Sequence, residues 1–476
     1  MTTDSDPGST IPRVVTEVPG FDAVLSGGLM RGGVYLLMGS PGAGKTILSN
    51  QICFRHAAAG GRALYVTLLA ESHSRMLAHL EQMAFYDAAA VARSVVYLSG
   101  YQALEAEQLD GLLELLRQEV RTRRSTFLVL DGLVIAGAIA ESELSLKKFV
   151  HELKVFTEMT GCTCLILTSA DSAMTDYPAR TMVDGLIELR FRRAEMVTTR
   201  ELEVSKLRGS PQLLGRHVFD ITDAGIVVHP RFETRYGNVV DAAGKRERLP
   251  FAVTPLDRMI GGGLLSGSVT LVIGPPGSGK TLLGLQFLHA GAEAGAPGLH
   301  VGFFETPERL VSKAEGVGLA IGAHVAERRI AIDWSPPLEQ HADALAERLV
   351  DVVRRTGIQR VVIDGLSGFA QAIQGPKRLH RLFTALCNEL RHHGVTTIVS
   401  EEAGLVVGET LDLPVGRLSA AVDNIILLRY AERDATLRRY LSILKMREGE
   451  YDATVRELTI SKRGLALAPA RRGRRT

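Results

Sequence analysis

Two stretches of this sequence, GSPGAGKT at residues 39 to 46 and GPPGSGKT at 274 to 281, share the pattern G-x-x-x-x-G-K-[ST]. Glycines let such a loop turn tightly so that backbone N–H groups converge on phosphates, and the lysine adds a positive charge. The residues expected to hold a nucleotide are therefore Gly39, Ser40, Pro41, Gly42, Ala43, Gly44, Lys45 and Thr46, and again Gly274, Pro275, Pro276, Gly277, Ser278, Gly279, Lys280 and Thr281. Some 86 and 84 residues after the two lysines, short apolar runs close on an acid: FLVLD ends at Asp131 and RVVID at Asp364. An aspartate at a strand end can hold Mg²⁺ through water, with the hydroxyls of Thr46 and Thr281 as further ligands. Between loop and aspartate, YVTLLAES and HVGFFETP place Glu71 and Glu305 at 26 and 25 residues from the lysines. A carboxylate there can orient or deprotonate the water that attacks a γ-phosphate; the plainer alternative is a solvated carboxylate at a helix start. Late in each half, LEVSKLRGS carries Lys206 and Arg208, and LSILKMREG carries Lys445 and Arg447. A lysine and an arginine two apart on a strand point to one side and can pair on a phosphate.

The elements that must position these groups repeat with them. Lys45, Asp131 and Lys206 recur as Lys280, Asp364 and Lys445, each 233 to 239 residues on, which marks an internal duplication. Each phosphate loop follows a β-rich apolar run and precedes a helical pattern, TILSNQICFRHAAAG or TLLGLQFLHAGAEAG, closed by Gly60 or Gly295. Strand, loop and helix are the context in which the pattern cradles phosphate. Alternating strands and helices predict an α/β fold in each half, a mostly parallel sheet flanked by helices with ligands at the C-terminal ends of the strands. The expected organisation is an N-terminal segment over 1–13, a first domain over 14–234, a linker over 235–250 (RYGNVVDAAGKRERLP), a second domain over 251–465 and a basic tail over 466–476.

At 476 residues, 46% hydrophobic and 23% charged, the chain has an ordinary globular composition. Its start, MTTDSDPGSTIP, lacks the features of a signal peptide, and its longest apolar run, Phe127 to Ala140, is short and broken by Asp131. A cytoplasmic protein with no membrane partner is expected. The net charge of +2 includes four arginines of the tail ARRGRRT, so the body is not basic. The four cysteines suggest core packing rather than a disulfide framework, Cys162 and Cys164 lying in a strand-like GCTCLILTS.

The two loops, the FFETP segment and the endings LEVSKLRGS…FDITDAGIVVHP and VDNIILLRYAER…ILKMREGEYD occur in an order that resembles the KaiC family, hexameric circadian-clock ATPases and autokinases of the RecA superfamily. The resemblance runs over roughly residues 14 to 465. It implies tandem RecA-like P-loop NTPase domains and a double-ring homo-hexamer with ATP and Mg²⁺ held between subunits. The cradle of one subunit would then face Lys206 and Arg208, or Lys445 and Arg447, of the next. An arginine reaching across such an interface can be worth 10³ to 10⁵ in phosphoryl-transfer rate. Where the family carries adjacent glutamates, this sequence has Ala70-Glu71 and Phe304-Glu305. Where the family phosphorylates a Ser-Thr pair, RLSAAVDNIILL keeps Ser419 and has Ala420, so a single phosphoacceptor is the open reading and a two-site cycle is not. The C-terminal segment through which the clock protein meets its activator is not evident, and no such partner is expected; a signalling protein is the other partner left open.

Two other readings stand beside this one. A RecA-type DNA-handling ATPase would bring loops after the aspartate strands to a nucleic acid. Those segments carry Asp171, Asp176, Glu401, Glu402, Glu409 and Asp412 against Arg180 and Arg417, a lining that repels phosphates, and nucleic acid is not the expected partner. A nucleotide-dependent scaffold that binds ATP and hardly turns it over is the third reading, favoured by the missing glutamates.

Overall fold

A computed structural model describes residues 12–68, 73–169, 179–194, 197–236, 247–336, 341–373, 376–403 and 418–469. The chain divides into two compact units, Met1–Thr234 and Arg235–Thr476.

In the first unit the main strands are β1 (Val34–Gly39), β2 (Ala63–Thr67), β3 (Val95–Ser99), β4 (Phe127–Asp131), β5 (Thr163–Thr168), β6 (Gly185–Ala194), β7 (Val197–Leu207), β8 (Arg216–Thr222) and β9 (Gly225–His229). They form one sheet in the order β3-β2-β4-β5-β1-β6-β7-β8-β9. The first six in that order run parallel and the last three extend the sheet antiparallel. The second unit repeats this with β10 (Val269–Gly274), β11 (Gly298–Gly302), β12 (Ile330–Trp334), β13 (Arg360–Asp364), β14 (Thr396–Glu402), β15 (Asn424–Arg433), β16 (Thr436–Met446), β17 (Arg456–Ser461) and β18 (Gly464–Leu467). Its order is β12-β11-β13-β14-β10-β15-β16-β17-β18, strand for strand the same.

The central strands are apolar throughout because both faces of a parallel sheet are covered. All six residues of β1 are buried. Tyr35 and Leu37 face one core with Leu48 and Ile52 of the helix Lys45–Ala58. Val34, Leu36 and Met38 face the other, with Leu112 and Leu116 of Tyr101–Arg123 and Leu146 and Leu153 of Glu143–Thr160. The alternation is the two-residue period of a strand read from both sides. Helix boundaries follow from capping. Ser142 and Ser145 form a reciprocal capping box at the start of Glu143–Thr160, and Gly161 at φ +67° ends it. All four cysteines are buried free thiols. Among the described residues no helix is long and apolar enough to cross a membrane.

Candidate functional site

Each phosphate loop lies where β1 or β10 ends and a helix begins. Gly44 and Gly279 stand at the N-caps of Lys45–Ala58 and Lys280–Glu293 with φ +105° and +107°, a left-handed backbone that a side chain would strain. Neither cap has a side-chain hydrogen bond. The first-turn N–H groups therefore remain available to an anion, with the positive end of the helix dipole behind them. Lys45 Nζ donates to the carbonyls of Gly39 at 2.6 Å and Ser40 at 3.2 Å. Lys280 does the same to Gly274 at 2.7 Å and Pro275 at 3.0 Å. Burial lowers the pKa of both lysines, while Asp131 opposes the fall at Lys45, and Glu402 and Asp364 do so at Lys280.

The aspartates end β4 and β13, two strands away from the loop strand in each sheet. In the first unit Asp131 borders a cavity of about 330 Å³ with Thr46, His73, Arg75 and His79. Tyr65 donates its phenol to Asp131 at 2.7 Å. Burial raises the Asp131 pKa, and the Tyr65 hydrogen bond and Lys45 only partly offset it. In the second unit Asp364 borders a cavity of about 650 Å³ with Lys280, Thr281, Glu305 and His300. Ser400 donates to Asp364 at 2.6 Å, and His300 Nε2 stands 3.8 Å away. Here burial is outweighed by the His300 ring and the hydroxyls of Ser400 and Thr281, which hold the carboxyl at about 2.

Glu305 is brought to the second cavity, where Lys313 pairs with its Oε1 while Oε2 is buried without a hydrogen-bond partner. Glu71 lies outside the described residues, as do Asp171, Asp176, Glu409, Asp412, Arg417 and the arginine tail. Lys206 and Arg208 are not brought to the phosphate loop of their own unit. Lys206 pairs across the sheet with Leu186 at the start of β6, the end away from the loop. Lys206 Nζ and Arg208 Nη2 both donate to the carbonyl of Thr181, at 3.0 and 3.3 Å. Lys445 lies likewise opposite Ile425 at the start of β15, with Nζ on the carbonyls of Ser419 at 2.6 Å and Val422 at 2.8 Å. Arg447 donates to Ala420 at 3.2 Å. Ser419, half-buried in the short turn Leu418–Ala420, is thus in the grip of the second cation pair. Burial and the adjacent arginine lower both lysine pKa values.

The structure adds residues that the sequence reading did not single out. Tyr65 and His300 occupy the same strand position, two residues before Thr67 and Gly302, the residues that pair with Asp131 and Asp364. The two-residue strand period would have pointed both at the acid had the register been known. Glu401 and Glu402, which the sequence placed only in an acidic lining that repels nucleic acid, close β14 beside Ile273 and Gly274 at the mouth of the second loop. Burial, with Glu402 adding to it, pushes the Glu401 carboxyl up to about 7. An arginine over an aromatic ring also flanks each loop: Arg200 over Phe191 and Arg439 over Tyr430, both at 5.6 Å. Arg439 further donates to the loop carbonyl of Gly277 at 3.1 Å.

A lysine, a hydroxyl and a strand-end acid converge at the C-terminal ends of the strands in both units. Comparison with known proteins places this arrangement in a family. A family model described as "ATPase: KaiC" matches twice, over residues 14–233 and 249–472. A circadian clock protein KaiC3 from Synechocystis sp. strain PCC 6803 is 24% identical, over 96% of this chain and 92% of its own. The circadian clock oscillator protein KaiC of Synechococcus elongatus is 23% identical over 95% and 88%. That of Thermostichus vulcanus is 23% identical over 96% and 89%. Since the family match spans nearly the whole chain in two tandem copies, the protein belongs to the KaiC family of ATPases and is built to bind ATP.

Proposed function

We propose that both domains, residues 14–234 and 251–465 joined by a linker over 235–250, hydrolyse ATP, and that the chain assembles in the cytoplasm as a double-ring hexamer in a signalling or timing role. The observation that carries this reading is the placement of the cation pairs. Lys206 with Arg208, and Lys445 with Arg447, sit at the end of each sheet away from that unit's own loop. In this reading, a phosphate that they touch belongs to another copy of the chain. Side-by-side subunits, each with its loop edge against the next one's cation edge, make a ring and complete every site in trans.

Within a site, the N–H groups of the non-proline residues in 39–46 or 274–281 hold the phosphates, and Lys45 or Lys280 leaves the loop carbonyls of Gly39 or Gly274 to reach them. Mg²⁺ would be held by Thr46 and Asp131 or by Thr281 and Asp364. The second pair fits best, because Asp364 is kept ionised and borders one cavity with Thr281. The ion supplies charge neutralisation between the terminal phosphates. Glu71 and Glu305 orient the attacking water, Glu305 after Lys313 releases it. In the second ring, Ser419 Oγ is the acceptor in a single-site autokinase reaction: it bonds to the γ-phosphorus as the bond to the β–γ bridging oxygen breaks, ADP leaves and the hydroxyl proton passes to water. The neighbouring Lys445 and Arg447 would stabilise the charge.

The test is steady-state ATP hydrolysis by wild type, Lys45→Ala and Lys280→Ala, with particle size followed by light scattering with and without ATP. Turnover that falls with each lysine, on a particle that reaches six subunits, is expected. The scaffold reading draws on the Glu305–Lys313 pair, which ties up the second-unit carboxylate. ATP-driven assembly without turnover would put that reading first.

A further inference from the structure

Far from the phosphate loop, the helix Lys280–Glu293 carries His289 and Glu293 one turn apart on one face. Against that face stands His324 of the helix Ile321–Ala326. Its Nε2 lies 3.0 Å from His289 Nδ1 and 3.0 Å from Glu293 Oε1. All three ligand atoms fall within 4.8 Å of one another. His324 is 2% exposed and Glu293 61%, so the cluster is anchored in the protein and open to solvent on one side. We propose that His289, Glu293 and His324 form a binding site for a divalent transition-metal ion of the zinc class, with water completing the coordination.

Two imidazole nitrogens and one carboxylate oxygen match the donor set of zinc and its neighbours. They do not suit Mg²⁺, which prefers an all-oxygen octahedron. A tetrahedral ion about 2.0 to 2.1 Å from each donor sets the donors roughly 3.3 Å apart. The two 3.0 Å spacings need only a few tenths of an ångström, and the exposed Glu293 closes the third side by rotation.

As a purely hydrogen-bonded cluster the arrangement is poorly satisfied. Whichever tautomers the rings adopt, His324 Nε2 can make a full hydrogen bond to only one of its two 3.0 Å neighbours, since it carries either one proton or one lone pair. Its Nδ1 is buried without a partner in either tautomer, so coordination through Nε2 creates no new orphan. Burial, reinforced by His324, lowers the His289 pKa and favours the neutral ring that ligation requires.

The first unit closes the same seam without ligands. Phe54, 235 residues before His289, packs against Phe85 at 6.0 Å and Tyr86 at 5.1 Å, and Ala58 stands where the second unit has Glu293. An apolar ring cluster fastens the phosphate-loop helix in one copy, and a metal clamp fastens it in the other.

The experiment uses the full chain, stripped with a chelator and titrated with Co²⁺ by its visible d–d absorption and with Zn²⁺ against a chromophoric indicator. One equivalent per chain with a tetrahedral Co²⁺ spectrum is expected, with a Zn²⁺-dependent rise in the unfolding temperature. His289→Phe, which copies Phe54, should abolish both effects. Glu293→Gln alters only an exposed side chain, leaves the fold intact by circular dichroism, and should weaken binding at least about tenfold. Wild type that takes up no stoichiometric ion, or variants that bind as wild type does, would overturn the proposal.

Discussion

The two units share a strand order strand for strand, yet their sites are built from different chemistry at matched positions. Asp131 is held by the phenol of Tyr65 and its pKa is raised; Asp364 is held by Ser400 beside His300 and its pKa falls to about 2. At the start of the aspartate strand the first unit has Phe127, whose ring meets that of His56 at a tilt with centroids 5.6 Å apart. The second has Arg360, 2% exposed, donating to the carbonyls of Pro250 at 3.0 Å and Phe287 at 2.8 Å, with its guanidinium 4.4 Å from the Phe287 ring. Where the first loop faces Thr168, the second faces Glu401. Duplication preserved the backbone path, because apolar strands and capped helices need only approximate side chains. The polar contacts around it were free to diverge, since each depends on one or two atoms.

The largest contrast is expected at Arg360. Arg360→Met leaves the buried Phe287 carbonyl and the more exposed Pro250 carbonyl without this donor and removes the positive charge that Asp257 feels, and should destabilise the second unit by about 3 kcal/mol. Phe127→Leu in the first unit should cost only about 1 kcal/mol, because volume is nearly kept. Urea unfolding of the two variants measures both, and equal losses would show that the buried arginine acts as mere filling.

Next comes the acid limb. Asp364 has its folded pKa depressed below the ordinary 3.8, so its contribution is present above that value and lost as pH falls through about 2. The loss should be about 2 kcal/mol in the second unit and should vanish in Asp364→Asn. Asp131, raised instead, contributes in the opposite sense: its share is fully present below the unfolded value and disappears as pH rises through the folded one. Acid titration of stability in Asp131→Asn and Asp364→Asn should therefore shift in opposite directions; shifts of the same sign would break the comparison.

Glu401 sharpens it near neutrality. Its folded pKa of about 7 means that stability present below the ordinary 4.5 is lost as pH rises through 7. The group is partly solvated, so about 1 kcal/mol is expected rather than the full value of the shift. Glu401→Gln should flatten this limb in thermal melts between acid and neutral pH, while Thr168→Val in the first unit leaves it untouched.

The smallest effect belongs to Lys313→Ala, which frees Glu305 from a half-exposed ion pair. Stability should change by under about 1 kcal/mol. If Glu305 orients water, second-site turnover rises a few-fold in a Lys45→Ala background; a fall would assign Lys313 to the nucleotide instead.

Much of this architecture is legible in the chain itself. The strand runs FLVLD and RVVID are observed at Phe127–Asp131 and Arg360–Asp364, and Gly60 and Gly295 stand with positive φ just past the loop helices. Apolar period, loop glycines and caps are local signals, carried by neighbours in sequence, and a duplication states them twice. The α/β class, the paired loops and the family all follow from such signals.

Register and depth are not local, and only the tertiary structure decided what depends on them. Tyr65 and His300 meet the aspartates because β2 and β11 pair in one register with β4 and β13. Lys206 and Lys445 lie at the sheet end away from their loops because β7 and β16 return antiparallel. His289 and His324 meet across 35 residues of sequence. A strand's composition says that it will be buried, but the side chain it places against a given carboxylate, and how far burial moves that group's proton, are set by partners that the chain brings together only on folding.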